Sequence, residues 1–218
     1  MKTQAATEAV AVDVPQVGTL GADLAVVAEH APLVVFAHGS GSSRHSPRNR
    51  AVAARLQRDG ISTLLLDLLT PAEDEAEARG GRLRFDVQML AERLIAAVEW
   101  IERRPTPDPR SIGYFGASTG AAAALIAAAE QGDRIASVVS RGGRPDLADA
   151  ALPRVTAPTL LIVGDLDVEV LALNQLALER MRCEKRLTLV EGATHLFSEP
   201  GALTQVADLA ADWFSQHG

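Results

Sequence analysis

Three short stretches carry side chains that could cooperate in nucleophilic chemistry. In Gly116-Ala117-Ser118-Thr119-Gly120 one serine stands between two glycines, after an apolar run and before an alanine-rich one. Gly164-Asp165-Leu166-Asp167-Val168-Glu169-Val170 offers carboxylates where another apolar run ends. Glu191-Gly192-Ala193-Thr194-His195-Leu196-Phe197 offers an imidazole. A serine hydroxyl is a poor nucleophile until a base takes its proton, and the base needs an acid to hold its tautomer. The three stretches supply nucleophile, acid and base in that order, each just after a strand-like run.

If Ser118 stands on a sharp strand-to-helix turn, Gly116 and Gly120 leave room where strand and helix backbones meet. The helix that follows, TGAAAALIAAA, has almost only small side chains in its first turns. It can therefore press close to a sheet and aim its positive end at a developing negative charge. An oxyanion would need two donors. The Thr119 N–H follows the nucleophile directly, and the loop His38-Gly39-Ser40-Gly41-Ser42-Ser43 can supply the second, expected from the Ser40 N–H. Gly39 and its small neighbours let that backbone approach a substrate. His38 itself reads as a structural histidine at a strand end.

The elements that must position these residues are legible as alternating patterns. Leu33 to Ala37, Ser62 to Leu66, Ile112 to Phe115, Ala136 to Val139 and Thr159 to Val163 are short apolar runs expected to be strands buried on both faces. Between them, Phe85 to Ile101 repeats apolar residues at three- and four-residue intervals, as a helix does. That alternation predicts an α/β fold with a mostly parallel sheet. Ala9 to Val14 and Asp23 to Ala28 lack an intervening helix and are expected as two antiparallel strands opening the sheet. Arg186 to Glu191 brings the total to about eight. Arg103 to Arg110 and the acidic stretch Pro71 to Arg84 read as solvated connections.

Taken together, HGSG at His38 to Gly41, GASTG at Gly116 to Gly120, GDLDVEV at Gly164 to Val170 and GATH ending at His195 resemble the α/β-hydrolase superfamily, and within it the dienelactone-hydrolase-like branch. The resemblance spans nearly the whole chain. It implies an α/β-hydrolase fold and cofactor-free, serine-dependent hydrolysis of carboxylic esters. Its G-x-x-D-x-x-V arrangement selects Asp167 over Asp165 as the acid. The hydrolases that give the branch its name use a cysteine nucleophile, whereas this elbow carries Ser118 and Cys183 lies elsewhere, so a general carboxylesterase is the expectation. Two alternatives share these residues: transfer of the acyl group to an acceptor other than water, and a non-catalytic binding protein built on the same fold.

Arginines adjoin the expected site. Arg44 and Arg48 follow the Ser40 loop and Arg141 follows the sixth strand, so each is a candidate to receive an anionic substrate group. Only Arg141 to Pro158 separates the sixth and seventh strands, too few residues for a large cap. The site is expected to be open and to serve small or medium soluble esters.

Composition narrows the classes. With 218 residues, 47% of them hydrophobic, one domain covering 1–218 is expected. A net charge of -7 disfavours nucleic acid and anionic membranes as partners. The single cysteine cannot form an internal disulfide, no His/Cys spacing marks a metal site, and no signal-like or membrane-length run is seen. Neither metal nor cofactor is expected, the partner is a small-molecule ester, and the expected location is cytoplasmic.

Overall fold

Five consecutive residues, Leu33–Ala37, are buried without a polar interruption, as a strand covered on both faces requires. In the computed structural model, which describes residues 6–218, this is β3 of an eight-stranded sheet. The other strands are β1 (Thr7–Val14), β2 (Gly18–Ala25), β4 (Ser62–Leu66), β5 (Ile112–Ala117), β6 (Ser137–Arg141), β7 (Thr159–Gly164) and β8 (Lys185–Val190). Their order is β1-β2-β4-β3-β5-β6-β7-β8. β2 is antiparallel to both its neighbours, and all other pairs are parallel.

Helices cover both faces. Helix α1 (Pro47–Arg58) and helix α6 (Ala202–Gln216) pack on one, where Val52, Leu56, Val206, Trp213 and Phe214 meet Phe36, Phe115 and Val139. Helices α3 (Val87–Glu102) and α4 (Thr119–Gln131) cover the other, with Leu90, Leu94 and the alanines of α4 against Leu33, Val35, Leu64 and Tyr114. Helix α5 (Val168–Arg180) flanks β7 and β8.

The chain leaves β3 toward β4 on one side and later enters β5 on the other. Crossovers therefore diverge between β3 and β5, and their carboxyl ends border the crevice where open α/β sheets bind ligands.

Several element ends differ from the sequence expectation by one or two residues, and three differences have an identifiable cause or consequence. β2 begins at Gly18, because the turn Val14 to Val17, closed by the Val17 amide on the Val14 carbonyl at 3.2 Å, is tighter than the Gly- and Pro-containing stretch suggested. β6 runs on to Arg141 and carries that arginine to the sheet edge. Pro71 to Arg84 is more than a solvated connection: it contains a helix, α2 (Pro71–Glu77), and a single 3-10 turn at Leu83–Phe85. Thr70 accepts from the Glu73 amide and Glu73 accepts from the Thr70 amide, so the acidic cluster forms a capped first turn.

Candidate active site

Ser118 joins β5 to α4 with φ 52° and ψ -124°, a conformation that a side-chain-bearing residue adopts at a cost of about 1–3 kcal/mol. Its carbonyl accepts from the amides of Ala121 and Arg144, each at 3.1 Å, and its own amide donates to Arg141 at 3.3 Å. The bend is thus held from three directions. Any Cβ on Gly116 would overlap the Ala121 backbone, and one on Gly120 would overlap the carbonyl oxygens of Ala37 and His38. Both glycines allow α4 to start directly against the ends of β3 and β5, which turns the serine outward.

His195 lies on the loop after β8, and Asp167 at the N-cap of α5 after β7. Backbone bonds join those loops: the Asp165 amide to Val190 at 3.2 Å and the Leu166 amide to Ala193 at 3.1 Å. Asp167 Oδ2 stands 2.7 Å from His195 Nδ1. Its side chain is 14% exposed and that of His195 41%, so the imidazole is held from behind and open in front. The Asp165 carboxylate has a buried Oδ1 with no partner and makes no bond to the imidazole. The structure thereby brings Asp167, rather than Asp165, to His195.

The loop after β3 is braced from below. The Leu68 amide donates to His38 Nε2 at 3.2 Å, which puts the ring proton on Nδ1, and Nδ1–H donates to the Gly39 carbonyl at 2.9 Å. Ser42 N–H donates to the same carbonyl at 3.1 Å. In a planar peptide the N–H opposes the C=O, so two donors on Gly39 oxygen turn the Ser40 N–H the other way. Burial lowers the His38 pKa below 6.5, which keeps the ring in this neutral form. Arg84 Nη1 holds the Ser40 carbonyl at 2.8 Å and is itself anchored by Asp74 of α2. Thr119, at the first position of α4, has an amide without an intrahelical partner.

Gly39, Ser40, Arg48, Ser118, Arg141 and His195 line one cleft of about 260 Å³. Arg44, expected there, is not among its walls. Its guanidinium pairs with Asp23 of β2 and with Asp67 after β4, and it borders a separate hollow with His38 and Asp67. Two carboxylates hold it away from the serine. Arg84, Asn49 and Leu196 contribute to the site or its support, and the sequence reading did not single them out. For Arg84 the one available signal was the Thr70-Pro71-Ala72-Glu73 capping pattern, which marks the helix that carries its anchor. Among the described residues, no three His, Cys, Asp or Glu side chains group closely enough to hold a metal ion. No helix among them is long and apolar enough to cross a membrane.

A profile of the alpha/beta hydrolase fold matches residues 32–163. A solved structure from Anabaena variabilis, described as a dienelactone hydrolase, is 52% identical, with a TM-score of 0.96 and 99% of each chain covered. Est1E from Butyrivibrio proteoclasticus shares the fold at 17% identity and TM-score 0.79, over 96% of this chain and 98% of that one. A Mycobacterium tuberculosis protein described as a putative phosphoribosyl transferase is 56% identical over 185 residues, 85% of this chain but 41% of its own length. The chain thus spans about two fifths of that curated relative.

Proposed function

This chain belongs to the α/β-hydrolase family, in its dienelactone-hydrolase-like branch, and on that premise we propose that it cleaves small to medium carboxylic esters through an acyl-enzyme on Ser118. The matches support a hydrolase-type function; the ester and the catalytic roles are our reading. The observation that carries it is the Asp167–His195 pair, 2.7 Å apart, in the same cleft as a serine held at positive φ.

In this reading His195 Nε2 accepts the Ser118 hydroxyl proton as Oγ attacks the ester carbonyl. Asp167 on Nδ1 leaves Nε2 free as acceptor and stabilises the imidazolium that forms. The Ser40 and Thr119 amides receive the negative oxygen, with the Ser40 peptide oriented by His38 and Arg84. Collapse expels the alcohol, which takes the proton from His195. Water, deprotonated by His195, then releases the acid.

The open cleft and the short segment between β6 and β7, which holds only a kinked 3-10 stretch, Pro145–Arg154, favour small soluble esters over aggregated lipid. A cytoplasmic setting is part of the proposal; half-buried Cys183 is unpaired and asks for no oxidising compartment. Phosphoribosyl transfer, named for the mycobacterial relative, is no part of this proposal. A nucleophilic serine with a carboxylate-held imidazole suits acyl chemistry, and this chain spans only 41% of that protein.

The test is release of p-nitrophenol from p-nitrophenyl acetate and butyrate by wild type and Ser118→Ala. Turnover lost in the variant supports the reading, and equal rates in both, or none in either, count against it. Product analysis with added alcohol or amine acceptors separates hydrolysis from acyl transfer.

A further inference from the structure

The fold treats two buried arginines in opposite ways. Arg93 of α3 is 6% exposed and pairs with Glu73 at 3.0 Å. Arg141 of β6 is 8% exposed, yet no carboxylate pairs with it among the described residues, and its Nε and Nη1 are buried without any acceptor. An unpaired buried cation is strongly unfavourable for folding. A protein that keeps one at the edge of its candidate active site has a use for it.

Position narrows that use. Arg141 is paired in register with Ala117, the residue before the serine, and its carbonyl accepts the Ser118 amide. Side chains two apart on a strand share a face, so Arg141 turns to the side of Val139, where α1 packs. Arg48, in the first turn of α1, lines the same cleft and also has a buried, unpartnered Nε. The first-turn amides of α1 add positive potential there. The Phe197 ring, 5.9 Å from the Arg141 guanidinium carbon, covers one side of it. No carboxylate is among the cleft's walls, although the chain as a whole carries a net charge of -7. Burial and the neighbouring Arg48 charge push the Arg141 pKa down to about 10, so it remains cationic at neutral pH.

We propose that Arg141 and Arg48 form an anion subsite beside Ser118, and that the substrate is an ester carrying a carboxylate or phosphate group within reach of both guanidinium groups. The inference rests on the hydrolase reading above and names its substrate class. Charge-assisted bonds from a planar guanidinium would orient such an ester before attack, converting binding of its charged end into alignment of its carbonyl. Arg44, satisfied by Asp23 and Asp67, takes no part.

The test measures kcat/KM by pH-stat for two anionic esters and their neutral counterparts: methyl hydrogen succinate against dimethyl succinate, with the charge on the acyl side, and acetoxyacetate against ethyl acetate, with the charge on the alcohol side. Wild type, Arg141→Met and Arg48→Met are compared. In at least one pair the anionic-to-neutral ratio should fall by about tenfold or more in Arg141→Met and severalfold in Arg48→Met. Competitive inhibition by succinate against inorganic phosphate distinguishes a carboxylate site from a phosphate site. Arg141→Met should also melt at a higher temperature than wild type, because it removes an unpaired buried charge; mere damage to the fold would lower it. If Arg141→Met does not fold, the Arg48→Met ratio decides.

Ser118-dependent turnover with ratios unchanged in both variants overturns the subsite and leaves the hydrolase reading standing. If no ester is turned over, that reading fails, and calorimetric titration with succinate and with phosphate judges the subsite alone. Binding by wild type that Arg141→Met loses supports it, and no binding by wild type overturns it.

Discussion

The Ser118 amide donates to the Arg141 carbonyl at 3.3 Å, so the bend that exposes the serine and the strand that ends in an unpaired guanidinium are one hydrogen-bonded unit. Proposed nucleophile and proposed anion subsite cannot move independently. Substrate alignment would then be set by the ends of β5 and β6 rather than by a mobile loop, which favours positional precision.

Replacing Asp167 with asparagine keeps the shape of the site but lets Nδ1 act as acceptor, which places the ring proton on Nε2, facing the serine. We expect kcat for p-nitrophenyl butyrate to drop by roughly 10³–10⁴-fold with little change in melting temperature. Asp165→Asn, at a carboxylate that makes no bond to His195, should cost far less. Comparable losses in both variants would contradict the assignment.

Arg84→Met removes the donor that holds the Ser40 carbonyl at 2.8 Å. If the Ser40 amide receives the oxyanion as proposed, a looser loop should lower kcat severalfold for neutral and anionic esters alike, with KM largely retained, because that oxyanion would form on every ester. The Asp74 end of its ion pair is 58% exposed and screened by solvent while Arg84 itself is 27% exposed, so the loss of stability should be modest, about 1 kcal/mol. A change confined to KM would argue against a positioning role.

Gly120→Ala asks whether the close approach of α4 to β3 is needed. The new methyl would overlap the Ala37 and His38 carbonyl oxygens, which are backbone atoms and cannot swing aside. Chemical denaturation should show a loss of about 1–3 kcal/mol, together with reduced activity. An unchanged midpoint would mean that the helix start is more yielding than its geometry implies.

His38 gives stability a pH dependence whose sign is fixed. Its folded pKa lies below the unfolded value of 6.5 because burial disfavours the imidazolium, although the Gly39 bond and the Asp67 and Asp74 charges oppose that shift and the Arg84 charge adds to it. Between the folded and unfolded values the unfolded chain binds more protons, so stability rises with pH through that window. Its contribution is complete above pH 6.5 and is lost as pH falls toward the folded pKa. Denaturation midpoints measured across that range should slope upward in wild type and less steeply in His38→Gln.

Arg44→Met separates a structural arginine from a ligand-binding one. With its guanidinium held by Asp23 and Asp67, the variant should be less stable than wild type yet leave the anionic-to-neutral ester ratio unchanged. A collapse of that ratio would bring Arg44 back into the site.

Fold class and the order of candidate residues were legible locally. Buried strands read as uninterrupted apolar runs and helices as three- and four-residue spacing, so the αβ alternation and the placing of Ser118, Asp167 and His195 just after strands followed from short-range pattern. Even the unexpected helix α2 had a local cause, the capping pair Thr70 and Glu73, which the density of surrounding charge obscured.

What only the tertiary structure decided is how charges are partnered. By spacing alone Arg44, Arg48 and Arg141 were equivalent, because an arginine's partner comes from whichever element packs beside it. Asp23 and Asp67, 21 and 23 residues from Arg44, reach it only because β2 and β4 are neighbours. Arg141 instead ends a buried strand facing Arg48, where packing supplies no carboxylate. In the same way, the 2.7 Å approach of Asp167 to His195 depends on the bonds between the loops after β7 and β8, and the bracing of Ser40 on a side chain 44 residues away. Backbone periodicity is a local property of the chain; compensation of buried charge is settled by the packing of distant segments.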